Sequence, residues 1–329
     1  MARNGAKIYM TEESMKIVIY EAEKKRNYEI GDSIQSLKLG TTTVTVGDQH
    51  IEVTLIPAGH CIGSVMFLFR IPNKTILYTG DFRIRQNDVH KYLQLHKKGD
   101  PIKIDVMYVD TTFIDHDYPE FAKRSDSVEV MLENIDVWLK EDEYNRVAIH
   151  TSAEYGYEFV FNKIYKRLGE KVAVDGGIWQ LYKCFPDLLP ALKNDDNDPK
   201  IHLCRRIWDK NDCKHNNNIQ NRYLSVFFSA RSWKNYDEET KSCEISGPDV
   251  IKVLYATHCS RSELLYFVNY LDPVKIIGFP NPYVPRIKET NYKDSFTPSP
   301  LKKKKLEAAE EVTVKRKVDR KLLEEMFGV

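Results

Sequence analysis

The sequence predicts an α/β fold, and three observations point to it. β-Branched and aromatic runs split by Gly, Pro and Asn fill positions 41–79. Beyond Asp110 the pattern switches to alternating helices and strands. Several of the expected strands end on His or Asp, at the edge where α/β sheets gather ligands.

In chain order, a short start at Lys7-Ile8-Tyr9 precedes a helical pattern from Thr11. Glu12 and Glu13 in its first turn suit the helix dipole. Runs 43–46, 51–56, 65–69 and 75–78 read as strands, and 104–109 reads as another that delivers Asp110. Val128, Met131, Leu132, Ile135 and Leu139 share helical spacing, which predicts a helix over 125–140. A short strand follows at 147–149 and a helix at 153–168. The Asn/Asp-rich stretch 191–222 reads as loop. A buried strand is expected at 250–255. Ser260 and Glu263 then have the spacing of a capping box, and 274–277 is the last strand. No internal repeat is visible.

At 329 residues with 42% hydrophobic and 11% aromatic content, the chain can build a proper core. Its 49 basic and 48 acidic residues give a net charge of +1, which neither suggests nor excludes nucleic acid. The longest apolar runs have strand length, far below the ~20 residues of a membrane span, so no membrane is expected. No secretory signal opens the chain, and the six cysteines read as reduced thiols or metal ligands. Beyond Pro285 charge dominates, with basic clusters at Lys302 to Lys305 and at Lys315-Arg316-Lys317. A solvated tail, a bipartite nuclear address and a phosphate-seeking arm all fit that composition.

Four residues carry the chemistry. His60 lies in a Pro/Gly loop, Asp81 follows Gly80, and Asp110 and His258 each close a strand. Imidazole and carboxylate ligands that leave one position open for water are what a metallohydrolase needs. Each residue also has an ordinary reading, as a hydrogen-bonded histidine, a turn aspartate or a cap. A second cluster, His202, Cys204, Cys213 and His215, suits tetrahedral zinc, against free thiols and loop histidines. Thr111, Thr112 and Ser260 beside the first cluster are candidate phosphate donors, with Arg83 and Arg85 nearby; surface solvation is the ordinary reading of each. Tyr155, Tyr157 and Tyr165 read either as base-stacking residues or as core packing.

The stretch from Leu55 through His60 to Phe69 resembles the DNA-repair nucleases of the metallo-β-lactamase fold with a β-CASP insertion. So do Leu77-Tyr78-Thr79-Gly80-Asp81-Phe82-Arg83 and Tyr108-Val109-Asp110-Thr111-Thr112-Phe113. The resemblance runs from near Lys7 to near Pro285. It implies an αββα sandwich, incomplete at the N-terminus, with an inserted α/β domain. The expected division is a partial metallo-β-lactamase-like domain at 1–115 and a β-CASP-like insertion at 116–250. A closing strand–helix–strand segment of the core at 251–285 and a charged tail at 286–329 complete it.

The resemblance further implies that His60 binds a first metal, that Asp81 bridges two metals, and that His258 lies near the second. Asp81, Asp110 and His258 are the implied catalytic residues. The implied cofactor is a divalent ion: zinc, magnesium or manganese. The implied substrates are DNA ends, hairpins or overhangs, cut as a 5′ exonuclease or hairpin-opening endonuclease in end joining or crosslink repair. Repair proteins on the tail and a nuclear location are implied too. A structural zinc would use His202, Cys204 and Cys213, with His215 replacing a ligand that falls near Ala173, or would be incomplete. The Asp-Thr-Thr-Phe form disfavours RNA or small substrates. The family's His-x-His-x-Asp-His motif has no match in these 329 residues. The chain as written is therefore expected to be an impaired nuclease, with a sheet edge and apolar face uncovered. The alternative is a non-catalytic DNA- or partner-binding protein.

Overall fold

The structure, a computed structural model, describes residues 7–25, 33–195, 198–204 and 220–284. The chain opens with β1 (Ile8–Met10), α1 (Glu12–Tyr20) and β2 (Ile34–Ser36). Then come β3 (Gly40–Val46), β4 (Gln49–Pro57), β5 (Val65–Ile71), β6 (Lys74–Tyr78), a small hairpin of β7 (His96–Lys97) and β8 (Asp100–Pro101), and β9 (Val106–Asp110). Next are α2 (Arg124–Glu141), β10 (Asn145–His150), α3 (Glu158–Leu168), β11 (Val172–Val174), α4 (Gly176–Tyr182), β12 (Leu192–Asn194), β13 (Ile201–Leu203) and β14 (Arg222–Ser229). The described part ends with β15 (Cys243–Ile245), β16 (Val250–Leu254), α5 (Arg261–Leu271) and β17 (Lys275–Phe279).

Two large sheets organise these elements. One has six strands in the order β17-β9-β6-β5-β4-β3, and the other has seven in the order β12-β11-β13-β10-β14-β16-β15. In the antiparallel run β3–β6, tight turns at Gly47 and Asn73 join β3 to β4 and β5 to β6, and the loop 58–64 joins β4 to β5, while the parallel pairs β6–β9 and β10–β14 need crossovers. This mixed α/β arrangement is that of a metallo-β-lactamase-type fold.

Helix α5 shows how the sequence builds the first layer. Leu264, Phe267, Val268 and Leu271 fall on one helical face and are buried. They pack on Met66, Leu68, Leu77, Met107 and Val109 of the six-stranded sheet. Each such side chain contributes about 1.5–3 kcal/mol on burial. The expected capping box is present: Ser260 accepts from the Glu263 amide, and Glu263 accepts from the Ser260 amide. Residue Glu263 also receives Arg83, whose Nε and Nη2 lie 3.3 and 3.2 Å from its carboxylate oxygens. Both side chains are buried, so removing either would strand the other charge at about 3–5 kcal/mol.

Three expectations are corrected. The helix expected at 153–168 begins at Glu158, because Gly156 turns the chain at φ +99° and its amide donates to the Glu158 carboxylate. The stretch 191–222 is not loop throughout. It contains β12 and β13, and β13 inserts between β11 and β10 with Ile201 and His202 buried. Its Asn and Asp content hides three-residue strands whose burial comes from the sheet. The expected core segment 251–285 divides, since β16 pairs with β14 in the seven-stranded sheet while β17 pairs with β9 in the other. The tyrosine pattern is packing: Tyr157 is buried in the second core, with Tyr155 and Tyr165 against it.

The far face of the six-stranded sheet is apolar. Tyr9 and Leu37 cover one end of it, over Val44, Val53 and Leu55. Among the described residues Val46 and Tyr78 stay 56% and 40% exposed, and β3 is an edge strand. No helix among them is long and apolar enough to cross a membrane.

In the second layer, Arg146 grips Asp198 bidentately at 2.9 and 2.8 Å. The Arg146 hydrogen bonds hold the Asp198 carboxyl down at about 2, against an ordinary 3.8. Its folded value is depressed, so the pair stabilises fully above the ordinary value and less as pH falls towards the folded one. The thermal midpoint gap between wild type and Asp198→Asn should hold steady down to about pH 4 and close between about pH 4 and 2. Thermal melts across that range check this; a gap that persists at the acid end would contradict it.

Candidate metal centre

Strand β4 ends at Pro57 and hands the chain to a loop built around His60. The Ser64 hydroxyl accepts from the amides of His60 and Cys61 at 3.2 and 3.1 Å and donates to the Cys61 carbonyl at 2.7 Å. Gly63, at φ +78°, presses against helix α1, where an added Cβ would meet the Ser14 amide at 2.8 Å. The hydroxyls of Thr11 and Ser14 donate to its carbonyl at 2.8 and 3.0 Å. The loop is thereby fixed from two sides, and His60 with it.

His60 Nδ1 lies 3.2 Å from the Thr257 carbonyl oxygen. A carbonyl can only accept, so Nδ1 carries the proton and Nε2 is left as a lone-pair donor. The same logic holds for His258, whose Nδ1 is 2.6 Å from Asp110 Oδ2. The two rings meet edge-to-face with centroids 4.7 Å apart. Asp81, just beyond β6, brings Oδ2 to 3.8 Å from His60 Nε2. The ligand atoms of His60, Asp81 and His258 all lie within 4.8 Å of one another. Two imidazoles oriented through their second nitrogen, with one half-exposed carboxylate, form a donor set that fits a divalent cation.

The electrostatics agree with that fit. Burial and the neighbouring His258 hold the His60 imidazole below its ordinary value, outweighing the opposite pull of Asp81. It is therefore neutral near pH 7, the form that binds a metal. Burial opposes ionisation of Asp110, but hydrogen bonds from His258 and Thr112 prevail and keep the carboxyl below its ordinary value. Burial pushes the Cys61 thiol up to about 12, so this neighbour of His60 stays protonated near pH 7.

The structure brings the ligand atoms of His60, Asp81 and His258 together. Asp110 instead stands behind His258 and orients it, with Oδ1 taken by the Thr112 amide and hydroxyl. The phosphate reading of the three hydroxyls is not carried by the geometry. Thr111 is buried and donates to the Asn281 carbonyl at 2.7 Å, Thr112 is spent on Asp110, and Ser260 is buried as a helix cap. Arg83, expected at the surface, is buried in its ion pair. His202 and Cys204 are buried at β13, away from the centre. Ala173 is the register partner of His202 and brings only a methyl group there. Cys213 and His215 lie outside the described residues. Sequence reading missed the Thr257 carbonyl, since its contact with His60 spans 197 positions.

Replacing Asp110 with Asn keeps one oxygen, which the Thr112 amide and hydroxyl hold, and turns an NH2 group towards His258 Nδ1 where an acceptor stood. Zinc affinity in a competition titration should fall about 10–100-fold, with the circular dichroism of the chain unchanged. Unaltered affinity would contradict the orienting role.

Comparison with known proteins follows the same lines. Residues 186–282 match the family described as DNA repair metallo-beta-lactamase. Protein artemis of Homo sapiens is 34% identical over 242 residues, which are 71% of this chain and 34% of that protein. Protein artemis of Danio rerio is 29% identical over 248 residues, 71% of this chain and 37% of that protein. DNA cross-link repair 1A protein of Homo sapiens is 28% identical over 257 residues, 74% of this chain and 24% of that protein. The chain thus spans about a third or less of the length of these relatives. Among solved structures, a protein of unknown function from Enterococcus faecalis V583 shares the fold, with a TM-score of 0.53 at 15% identity over 83% of this chain and 69% of its own. Over the span it shares with these relatives, the chain is an Artemis-like member of the metallo-β-lactamase-fold, β-CASP family.

Proposed function

We propose that this chain belongs to a DNA-repair nuclease that hydrolyses phosphodiester bonds with a divalent metal. The observation that carries the reading is the convergence of His60, Asp81 and His258, with the Nδ1 atom of each imidazole engaged by a hydrogen-bond acceptor and Nε2 left to face the site. Bound there, a zinc, magnesium or manganese ion would supply Lewis-acid polarisation and hydroxide at neutral pH. His60 and His258 would hold it through Nε2, Asp81 would offset its charge from the exposed side, and Asp110 would keep His258 in the ligating tautomer.

The finer reading takes DNA ends, hairpins or overhangs as substrates, cut by 5′ exonuclease or hairpin-opening chemistry. Such activity fits end joining or interstrand-crosslink repair, the latter from the name of the cross-link repair relative. The basic clusters at Lys302 to Lys305 and Lys315-Arg316-Lys317 favour a nuclear location and contact with repair proteins, though they lie outside the described residues. Among the described residues three donors converge, fewer than two metals require, so we infer that the 329 residues alone have little or no nuclease activity. The same shortage favours a second reading, a non-catalytic DNA- or partner-binding chain.

Incubating the 329-residue chain with 5′-labelled single-stranded, overhang and hairpin DNA in Mg²⁺, Mn²⁺ or Zn²⁺ separates these. Slow metal-dependent cleavage that disappears in Asp81→Ala is the expected result. Binding without cleavage in any metal would select the second reading. Cleavage that survives Asp81→Ala would remove the assigned centre, and fast cleavage lost in that variant would refute the inferred impairment.

A further inference from the structure

Arg124 begins helix α2, in the layer opposite the six-stranded sheet. That is the wrong place for a cation on local grounds, since the helix N-terminus is already positive. Its guanidinium is also largely enclosed, and Arg83 stands close enough to disfavour its charge, which holds its pKa below the ordinary value. Local rules broken together in this way call for a compensating role.

The hydrogen bonds show what that role is. Arg124 Nη2 donates to the Gly59 carbonyl at 2.6 Å, and Nε donates to the Ala256 carbonyl at 2.9 Å. Gly59 immediately precedes His60, and Ala256 lies two residues before His258. One planar group therefore spans the peptides that carry the two imidazole ligands. The guanidinium also lies over the Tyr255 ring, 5.6 Å from its centroid, which restricts its orientation. Arg83, two residues after Asp81, donates to the same Ala256 carbonyl at 3.1 Å. The segments bearing Asp81 and His258 thus meet at the Ala256 oxygen, and Arg124 ties the segment bearing His60 to it through the Gly59 carbonyl.

We propose that Arg124 is a positioning residue that sets the separation of His60 and His258, and so couples the second layer to metal affinity. This rests on the reading of His60, Asp81 and His258 as a metal centre. The role needs two donors in one rigid plane. A lysine ammonium keeps the charge but is a single point on a flexible stem, and cannot hold both carbonyls in the same geometry.

The test is cobalt titration of the full chain, read by the visible absorption of the bound ion. Wild type should bind, and Asp81→Ala should lose the spectrum. Arg124→Lys should bind about 10–100-fold more weakly, with an altered spectrum and unchanged far-ultraviolet circular dichroism. Added methylguanidinium should restore affinity to Arg124→Ala and leave Arg124→Lys weak. If Arg124→Ala does not fold, the lysine variant alone decides. Cobalt affinity and spectrum in Arg124→Lys equal to wild type would overturn this inference and leave the metal centre standing. Absence of any cobalt spectrum in wild type would overturn the metal centre, and this inference with it.

Discussion

The Ala256 carbonyl receives two guanidinium groups, and the geometry of the candidate centre depends on that junction. Arg83 comes from the segment beyond β6 and Arg124 from the start of α2, while Ala256 itself leads into His258. A neutral acceptor between two cations is unfavourable for the cations unless anions or further acceptors share the load. Glu263 takes Arg83, and the carbonyls of Gly59 and Ala122 each take a further donor, from Arg124 and Arg83 respectively. The result joins the capping box of α5, the His60 loop and the end of β16 into one hydrogen-bonded unit. Gly156 closes the other side, where a Cβ would lie 3.3 Å from the His60 carbonyl oxygen and 3.2 Å from Thr257 Cγ2. A side chain there would press directly on the ligand loop, so absence of a side chain serves the site as much as the presence of the histidines.

The division of labour among the carboxylates follows from burial. Asp81 is half exposed and faces the histidine nitrogens, whereas Asp110 is buried and faces the back of His258. An exposed carboxylate can enter and leave a coordination sphere with little desolvation. A buried one, already bonded to an imidazole and to Thr112, is worth more as a fixed orienting charge. Sequence position alone gives both residues the same appearance, an aspartate at the end of a strand.

That contrast marks what the sequence could disclose. The β-branched and aromatic runs, the α2 face, the Ser260–Glu263 cap and the placing of His60, Asp81 and His258 near strand ends were all legible, because each depends on local spacing or on a resemblance at short motifs. Residues β12 and β13 were not, since three-residue strands in an Asn/Asp-rich stretch owe their form to neighbouring strands. Arg83 looked like a surface cation because its partner Glu263 lies 180 positions away. Thr111 looked like a free donor for the same reason: the Asn281 carbonyl that takes its hydroxyl is in place only when β17 is. Long-range pairing decides whether a polar residue faces the solvent or supports a ligand, and one sequence does not carry it.

Zinc X-ray absorption on the chain loaded with one equivalent addresses the centre most directly. A shell of nitrogen and oxygen at about 2.0–2.1 Å, with the outer scattering of two imidazoles reduced to one in His258→Ala, is the expected result. A sulfur shell near about 2.3 Å, unchanged in His258→Ala, would put the ion at cysteines elsewhere and contradict the assignment of His60, Asp81 and His258 as its ligands.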